Sequence, residues 1–154
     1  MKMSTTAVLI LGAAVAACDQ RAPEHSEAAD LAAIQAVNAR TLEALNAGDW
    51  TRLNEVTDDD YVAIIRGTPT SGREHLQASN QRFLEQWKDE EAWLPVETII
   101  DGDLAFQRGS FTMTLTPRQG GEARSLAGTY MHIYQRKPDG SWALTRAMAE
   151  TAAE

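Results

Sequence analysis

Apolar residues recur at helical spacing through Leu31, Ile34, Val37, Leu42 and Leu45, while Asp30, Gln35, Arg40 and Glu43 fall mostly off that stripe. The pattern predicts an amphipathic helix of about five turns, capped by Ser26 and ended by Gly48. Asp49 is placed to cap a short second helix with Trp50, Leu53 and Val56 on one side. After a turn at Asp58-Asp59-Asp60, the β-branched and apolar run Tyr61-Val62-Ala63-Ile64-Ile65 predicts a buried strand, broken by Gly67, Pro69 and Gly72. A third helix is expected from Ser71 or Gly72, with Leu76, Ser79, Phe83 and Trp87 as its stripe. Lys88-Asp89-Glu90-Glu91 would close it as a charged, solvated end.

The remainder reads as strands: Trp93 to Ile100, Leu104 to Thr116, Arg124 to Arg136 and Trp142 to Met148. Tight turns fall at Asp101-Gly102-Asp103 and Asp139-Gly140, and a shift of apolar phase at Gly109 suggests a bulge. Helices first and strands afterwards predict an α+β fold, with three N-terminal helices on one face of a strongly curved, mostly antiparallel sheet. A sheet curled around a long helix makes a cone with an open mouth, and pockets form in such mouths.

The first residues give an address. Met1-Lys2 precedes an apolar run from Ala7 to Ala17 that ends in Val15-Ala16-Ala17-Cys18. That run is too short to span a bilayer, which takes roughly 20 apolar residues, and it has the layout of an export leader. The tetrad resembles the lipobox of bacterial lipoproteins. The resemblance implies a signal peptide over residues 1–17, a lipid on Cys18, and attachment to the membrane at the periplasmic face of the cell envelope. Asp19 would favour the inner membrane. A plain secretory leader cut near Ala14-Val15-Ala16 or Ala16-Ala17, or an uncleaved anchor, are the alternatives. Residues 18–26 read as a tether and 27–150 as one folded domain.

Charge and cysteine usage narrow the partners. The chain carries a net charge of −8, and loss of Lys2 with the leader would take it one unit lower. With no basic cluster to offset it, nucleic acid is a poor partner. Cys18 is the only cysteine, and His25, His75 and His132 are isolated. No thiolate site, zinc-type histidine spacing, phosphate loop or nucleophile elbow appears, so no metal or cofactor is expected.

Asn46-Ala47-Gly48-Asp49-Trp50, Asp59-Asp60-Tyr61-Val62, Ser71-Gly72-Arg73-Glu74, Gly102-Asp103-Leu104-Ala105, Gly128-Thr129-Tyr130 and Asp139-Gly140-Ser141-Trp142 follow one another in order. Together they resemble the nuclear-transport-factor-2-like superfamily, in its SnoaL-like and ketosteroid-isomerase-like bacterial branch. The resemblance spans roughly Glu27 to Met148. It implies a cone of three helices on a bent sheet, often dimeric through the outer sheet face, in a group that includes isomerases, cyclases and dehydratases. Ketosteroid isomerase chemistry needs an aspartate base with a tyrosine and a protonated aspartic acid as donors. The positions matching the tyrosine, the base and the acid fall at Thr41, near Ile65, and near Gly128 or Thr129 respectively, so that activity is not expected.

The candidate pocket residues are Tyr61, Tyr130, His132, Trp142 and Arg146. His132 and Arg146 are the candidates for catalysis, one as a base near neutral pH and the other as a clamp for a carboxylate. Each has a plainer reading. His132 and the tyrosines that share its face could lie at the outer surface or a dimer face, Arg146 could pair with an acid such as Asp60, and Tyr61 and Trp142 could simply pack the core. Asp49, Asp59 and Asp60 are explained by caps and turns, and Arg66 by a solvated strand end. The leading functional expectation is a lipid-anchored protein whose cone pocket binds a small, partly apolar molecule. The alternatives are an isomerase, cyclase or dehydratase in the same pocket, or a structural protein using its outer sheet face. A homodimer is expected to be possible.

Overall fold

The computed structural model describes residues 26–65 and 67–152. The leader, Cys18, all of the tether but Ser26, and Arg66 lie outside them. Three helices, α1 (Glu27–Ala47), α2 (Trp50–Val56) and α3 (Arg73–Gln86), accompany six strands: β1 (Thr57–Ile65), β2 (Thr68–Ser71), β3 (Trp87–Asp101), β4 (Leu104–Pro117), β5 (Arg124–Arg136) and β6 (Trp142–Thr151). The strands form one curved mixed sheet in the order β2-β1-β6-β5-β4-β3. All neighbours are antiparallel except β1 and β6. The α+β cone expected from the sequence is the fold of this chain.

Local chemistry sets the element ends. The Ser26 hydroxyl accepts from the Ala29 N–H, one of the orphan donors of the first turn of α1. Gly48 ends α1 at φ 66°, a left-handed conformation that glycine adopts without a Cβ penalty. The Asp49 carboxylate then caps α2 through the Arg52 N–H at 3.1 Å. Ile34, Val37 and Ala44 of α1, Leu53 and Val56 of α2, and Ala63 and Leu144 of the sheet are buried together as the core. Each fully buried Ile, Val or Leu among them contributes about 1.5–3 kcal/mol.

The structure departs from the sequence expectation in three places. First, Asp30 is not off the packed face. It is buried with Asn38 and Thr41 on the sheet side of α1, because partners wait there: Arg136 grips both Asp30 oxygens at 2.6 and 2.7 Å, and the Trp142 indole N–H reaches one of them at 3.3 Å. Second, the Gly67–Gly72 stretch does not simply break β1 but returns as β2, pairing Val62–Ile65 with Thr68–Ser71. Third, α3 stops at Gln86, and the charged run after it is strand, paired residue by residue with β4. That makes β3 an edge strand, and the Asn46 side chain bonds both the N–H and the C=O of Glu91 at 2.8 and 3.1 Å. The amide occupies the place of a neighbouring strand and blunts the edge.

Two irregularities decide which side chains face the hollow side of the sheet. The bulge signalled by Gly109 lies opposite it, where Val96 is the extra residue between Pro95 and Glu97 of β3. Trp87, Asp89, Glu91 and Trp93 are half-buried before it and Thr98 and Ile100 after it, so the inward phase changes there. The second lies on β6, where Tyr134 pairs with Leu144 but Ile133 with Arg146, leaving Thr145 as the extra residue. Leu144 faces inward before it, and Ala147 and Ala149 after it.

Candidate functional site

A cavity of about 280 Å³ lies between the three helices and the concave face of the sheet. Its apolar walls include Leu45, Leu53, Ile65, Leu76, Phe111 and Leu144. Its polar side chains come from separate elements: Thr41 from α1, Thr57 and Tyr61 from β1, Asn80 from α3, Asp89 and Glu91 from β3, and Tyr130 and His132 from β5. Apolar walls with convergent polar groups are the ordinary make-up of a small-molecule site.

Of the five candidates named from the sequence, three meet here. Tyr61, Tyr130 and His132 line the cavity and are buried, so the outward reading of His132 does not hold. Strand alternation sends Tyr130, His132 and Tyr134 inward and leaves Met131 and Ile133 outside. The other two do not line the cavity. Trp142 is buried in the core, with the Arg136 guanidinium 4.4 Å over its ring. Arg146 is exposed on the outer side, and its Nη1 donates to the backbone carbonyl of Asp60 at 2.9 Å. Simple alternation put Arg146 on the face of Trp142 and Leu144, and the extra residue at Thr145 reverses it.

A buried polar network forms the floor beneath His132. Asn38 Nδ2 donates to Gln107 Oε1 at 2.7 Å, the Tyr130 hydroxyl donates to the same oxygen at 3.2 Å, and Gln107 Nε2 donates to Thr98 Oγ1 at 2.9 Å. The Tyr134 hydroxyl donates to Asn38 Oδ1 and lies 3.1 Å from His132 Nδ1. The His132 ring packs 4.4 Å from Tyr130 and edge-on against Trp93 at 4.7 Å, centroid to centroid. Gly109 makes room: a Cβ there would come within 2.8 Å of the Tyr130 ring.

Burial governs the protonation of these groups, since it penalises the charged form. It drives the His132 pKa down to about 3, so the imidazole is neutral at physiological pH. It pushes the Tyr130 phenol up to about 12. Tyr61 is raised well above the ordinary range, first by burial and then by the Glu91 carboxylate. Among the described residues no three His, Cys, Asp or Glu side chains converge as metal ligands.

Asp89, Glu91 and Trp93 are among the cavity residues not expected from the sequence, as are Thr57, Asn80 and Met113. The signal for the first three was present as the alternation Trp87, Asp89, Glu91, Trp93, with Lys88, Glu90 and Ala92 between. The Trp93 indole N–H donates to Glu91 Oε1 at 2.6 Å. At the positions matched to ketosteroid isomerase chemistry, Thr41 donates its only proton to the Val37 carbonyl at 2.8 Å, Ile65 is apolar, and a Cβ on Gly128 would meet the Glu150 carbonyl at 2.1 Å.

A curved mixed sheet closed over by three helices, hollow on its concave side, is the nuclear-transport-factor-2-like fold. Within it the chain belongs to the SnoaL-like family, whose domain matches residues 38–145. A conserved protein from Planctomyces limnophilus is similar at 31% identity, over 81% of this chain and 99% of that one, with a TM-score of 0.75. A ketosteroid isomerase-like protein from Erwinia carotovora atroseptica is similar at 23% identity, over 81% and 98%, with a TM-score of 0.73. A hexachlorocyclohexane dehydrochlorinase from Novosphingobium barchaimii shares the fold at 20% identity, over 82% and 88%, with a TM-score of 0.72. No curated protein sequence matches the chain. The fold hosts both ligand-binding proteins and enzymes, so function must be argued from the site.

Proposed function

We propose that this chain is a lipid-anchored protein of the bacterial envelope whose cone cavity binds a small, partly apolar molecule. The observation that carries the pocket reading is the cavity itself: about 280 Å³, mostly apolar in its walls, with polar side chains entering from α1, β1, β3 and β5. Binding is favoured over proton transfer by His132, because an imidazole with a pKa of about 3 is a poor base near neutral pH. Thermal-shift screening against small aromatic and alicyclic compounds tests the reading. Saturable stabilisation that Leu144→Trp abolishes supports it, and uniform indifference to apolar compounds of this size refutes it. For the anchor, Cys18→Ser is expected to release the protein from membranes. Unchanged membrane fractionation of that variant would count against lipid attachment.

A second reading has one observation in its favour. Asp89 and Glu91 bring carboxyl groups into the cavity, and a carboxylate is a competent base for an isomerase or dehydratase step. The dehydrochlorinase named above shares the fold only, and lends this reading no residue. Loss of turnover in Glu91→Gln with folding and binding intact would favour the enzyme.

The outer sheet face supports the homodimer reading. Leu94, Val96, Ile99, Leu104, Met131 and Met148 are between 39% and 67% exposed. With Ile64 and Ile133 they offer on the order of 700 Å² of apolar surface, close to the roughly 800 Å² per partner of a standard interface.

A further inference from the structure

We propose that the cavity reads hydrogen bonds donated by its ligand, selecting a partly apolar molecule with a hydroxyl or amino group and no carboxylate or phosphate, and that His132 Nε2 is the principal acceptor. The inference rests on the pocket reading and narrows it to a ligand class.

The tautomer of His132 follows from proton counting along the floor. The Tyr134 hydroxyl has one proton and gives it to Asn38 Oδ1. Its remaining capacity toward His132 Nδ1, 3.1 Å away, is to accept. The proton therefore sits on Nδ1, and Nε2 keeps its lone pair. Among the described residues nothing donates to Nε2, although the side chain is only 4% exposed and lines the cavity. Reversing the network by flipping both amides would turn the Gln107 NH₂ toward Tyr130 and take away the acceptor of the Tyr130 proton. The orientation with Asn38 Nδ2 and the Tyr130 hydroxyl both on Gln107 Oε1 satisfies each group.

Other cavity groups share this bias. Thr41 donates to the Val37 carbonyl at 2.8 Å and Thr57 to the Leu53 carbonyl at 2.9 Å. Each hydroxyl has spent its proton and meets the cavity as an acceptor. No Lys or Arg is among the described lining residues. The hydroxyl and amide donors that remain, Tyr61, Thr68, Ser79, Asn80 and Thr151, come from β1, β2, α3 and β6, and none is on β5 beside His132. A ligand carboxylate at that floor would meet acceptors alone, which is unfavourable by desolvation and repulsion. Asn38 and Tyr134 are positioning residues, acting through the imidazole.

The test has two arms on the full chain. In the first, ¹⁵N NMR of histidine-labelled protein reads the tautomer directly. Protonated Nδ1 with bare Nε2, unchanged from pH 5 to 8, is expected; protonated Nε2 or an imidazolium titrating in that range overturns the inference. In the second, 2-naphthol, 2-methoxynaphthalene and 2-naphthoate are titrated with the Nε2 resonance as the readout. An unsatisfied buried acceptor costs enough that 2-naphthol should bind at least about tenfold tighter than 2-methoxynaphthalene, with 2-naphthoate weakest. Equal binding of the first two, or tightest binding of the carboxylate, overturns the ligand class and leaves the pocket reading standing. Binding of none of the three overturns both. Tyr134→Phe should erase most of the preference for 2-naphthol; a preference kept in a folded variant would refute the positioning role.

Discussion

Acidification should weaken this protein through one imidazole. His132 is buried against Trp93 and Tyr130, and its folded pKa of about 3 lies far below the 6.5 of an exposed histidine. The sign follows from linkage. Between pH 6.5 and 3 the unfolded chain binds a proton at this position that the native state does not, so stability rises with pH across that window and falls on acidification. Each pH unit below 6.5 costs about 1.4 kcal/mol, or about 2 kcal/mol by pH 5. Asp58, whose carboxyl is lowered by its hydrogen bond to Lys137, contributes a slope of the same sign, but only as pH falls below the ordinary carboxylate range. His132→Gln removes the histidine term and leaves the carboxylates. Urea unfolding of both proteins at half-unit steps from pH 4.5 to 7.5 isolates the difference. The two stability curves should converge below pH 6.5, the wild type losing about 1.4 kcal/mol more per unit. Parallel curves would refute the burial of a neutral imidazole on which the site argument depends.

Other perturbations probe the frame around the cavity. Asp30→Ala takes the bidentate partner from Arg136, whose side chain is 7% exposed, and leaves it only Asp103 at 3.1 Å, so it should cost about 3 kcal/mol in urea unfolding; a loss under 1 kcal/mol would contradict the buried pair. Glu43→Ala removes an exposed partner of Arg52 and should cost about 0.5 kcal/mol or less. Gly128→Ala drives a Cβ to 2.1 Å from the Glu150 carbonyl and 2.7 Å from the Phe111 ring, so a fall of several degrees in Tm is expected, and an unchanged Tm would contradict that close approach. If the outer face joins two copies, Met131→Glu with Met148→Glu should yield monomers in analytical ultracentrifugation, whereas an unaltered sedimentation profile would count against that interface.

The fold was legible wherever one residue type served one purpose. Ser26, Gly48 and Asp49 punctuate the first two helices by cap chemistry that works at short range. The site was less legible, because its decisive features are long-range. Lys88-Asp89-Glu90-Glu91 reads as a solvated helix end, since hydropathy cannot separate a carboxylate facing a cavity from one facing bulk water. Asp30, Asn38 and Thr41 interrupt the apolar stripe of α1, yet face inward because Arg136, Gln107 and the Val37 carbonyl satisfy them. Arg146 was put on the wrong face because one extra residue, Thr145, reverses every side chain after it, and nothing local in the sequence marks that insertion.

The three described methionines give the most direct test of the hollow cone. Met113 lines the cavity, while Met131 and Met148 lie on the outer sheet face. In ¹³C-methyl NMR with 2-naphthol as the titrant, the account predicts a saturable shift of the Met113 methyl with Met131 and Met148 unmoved. A shift confined to the outer methyls, or no saturable shift at Met113, would contradict it.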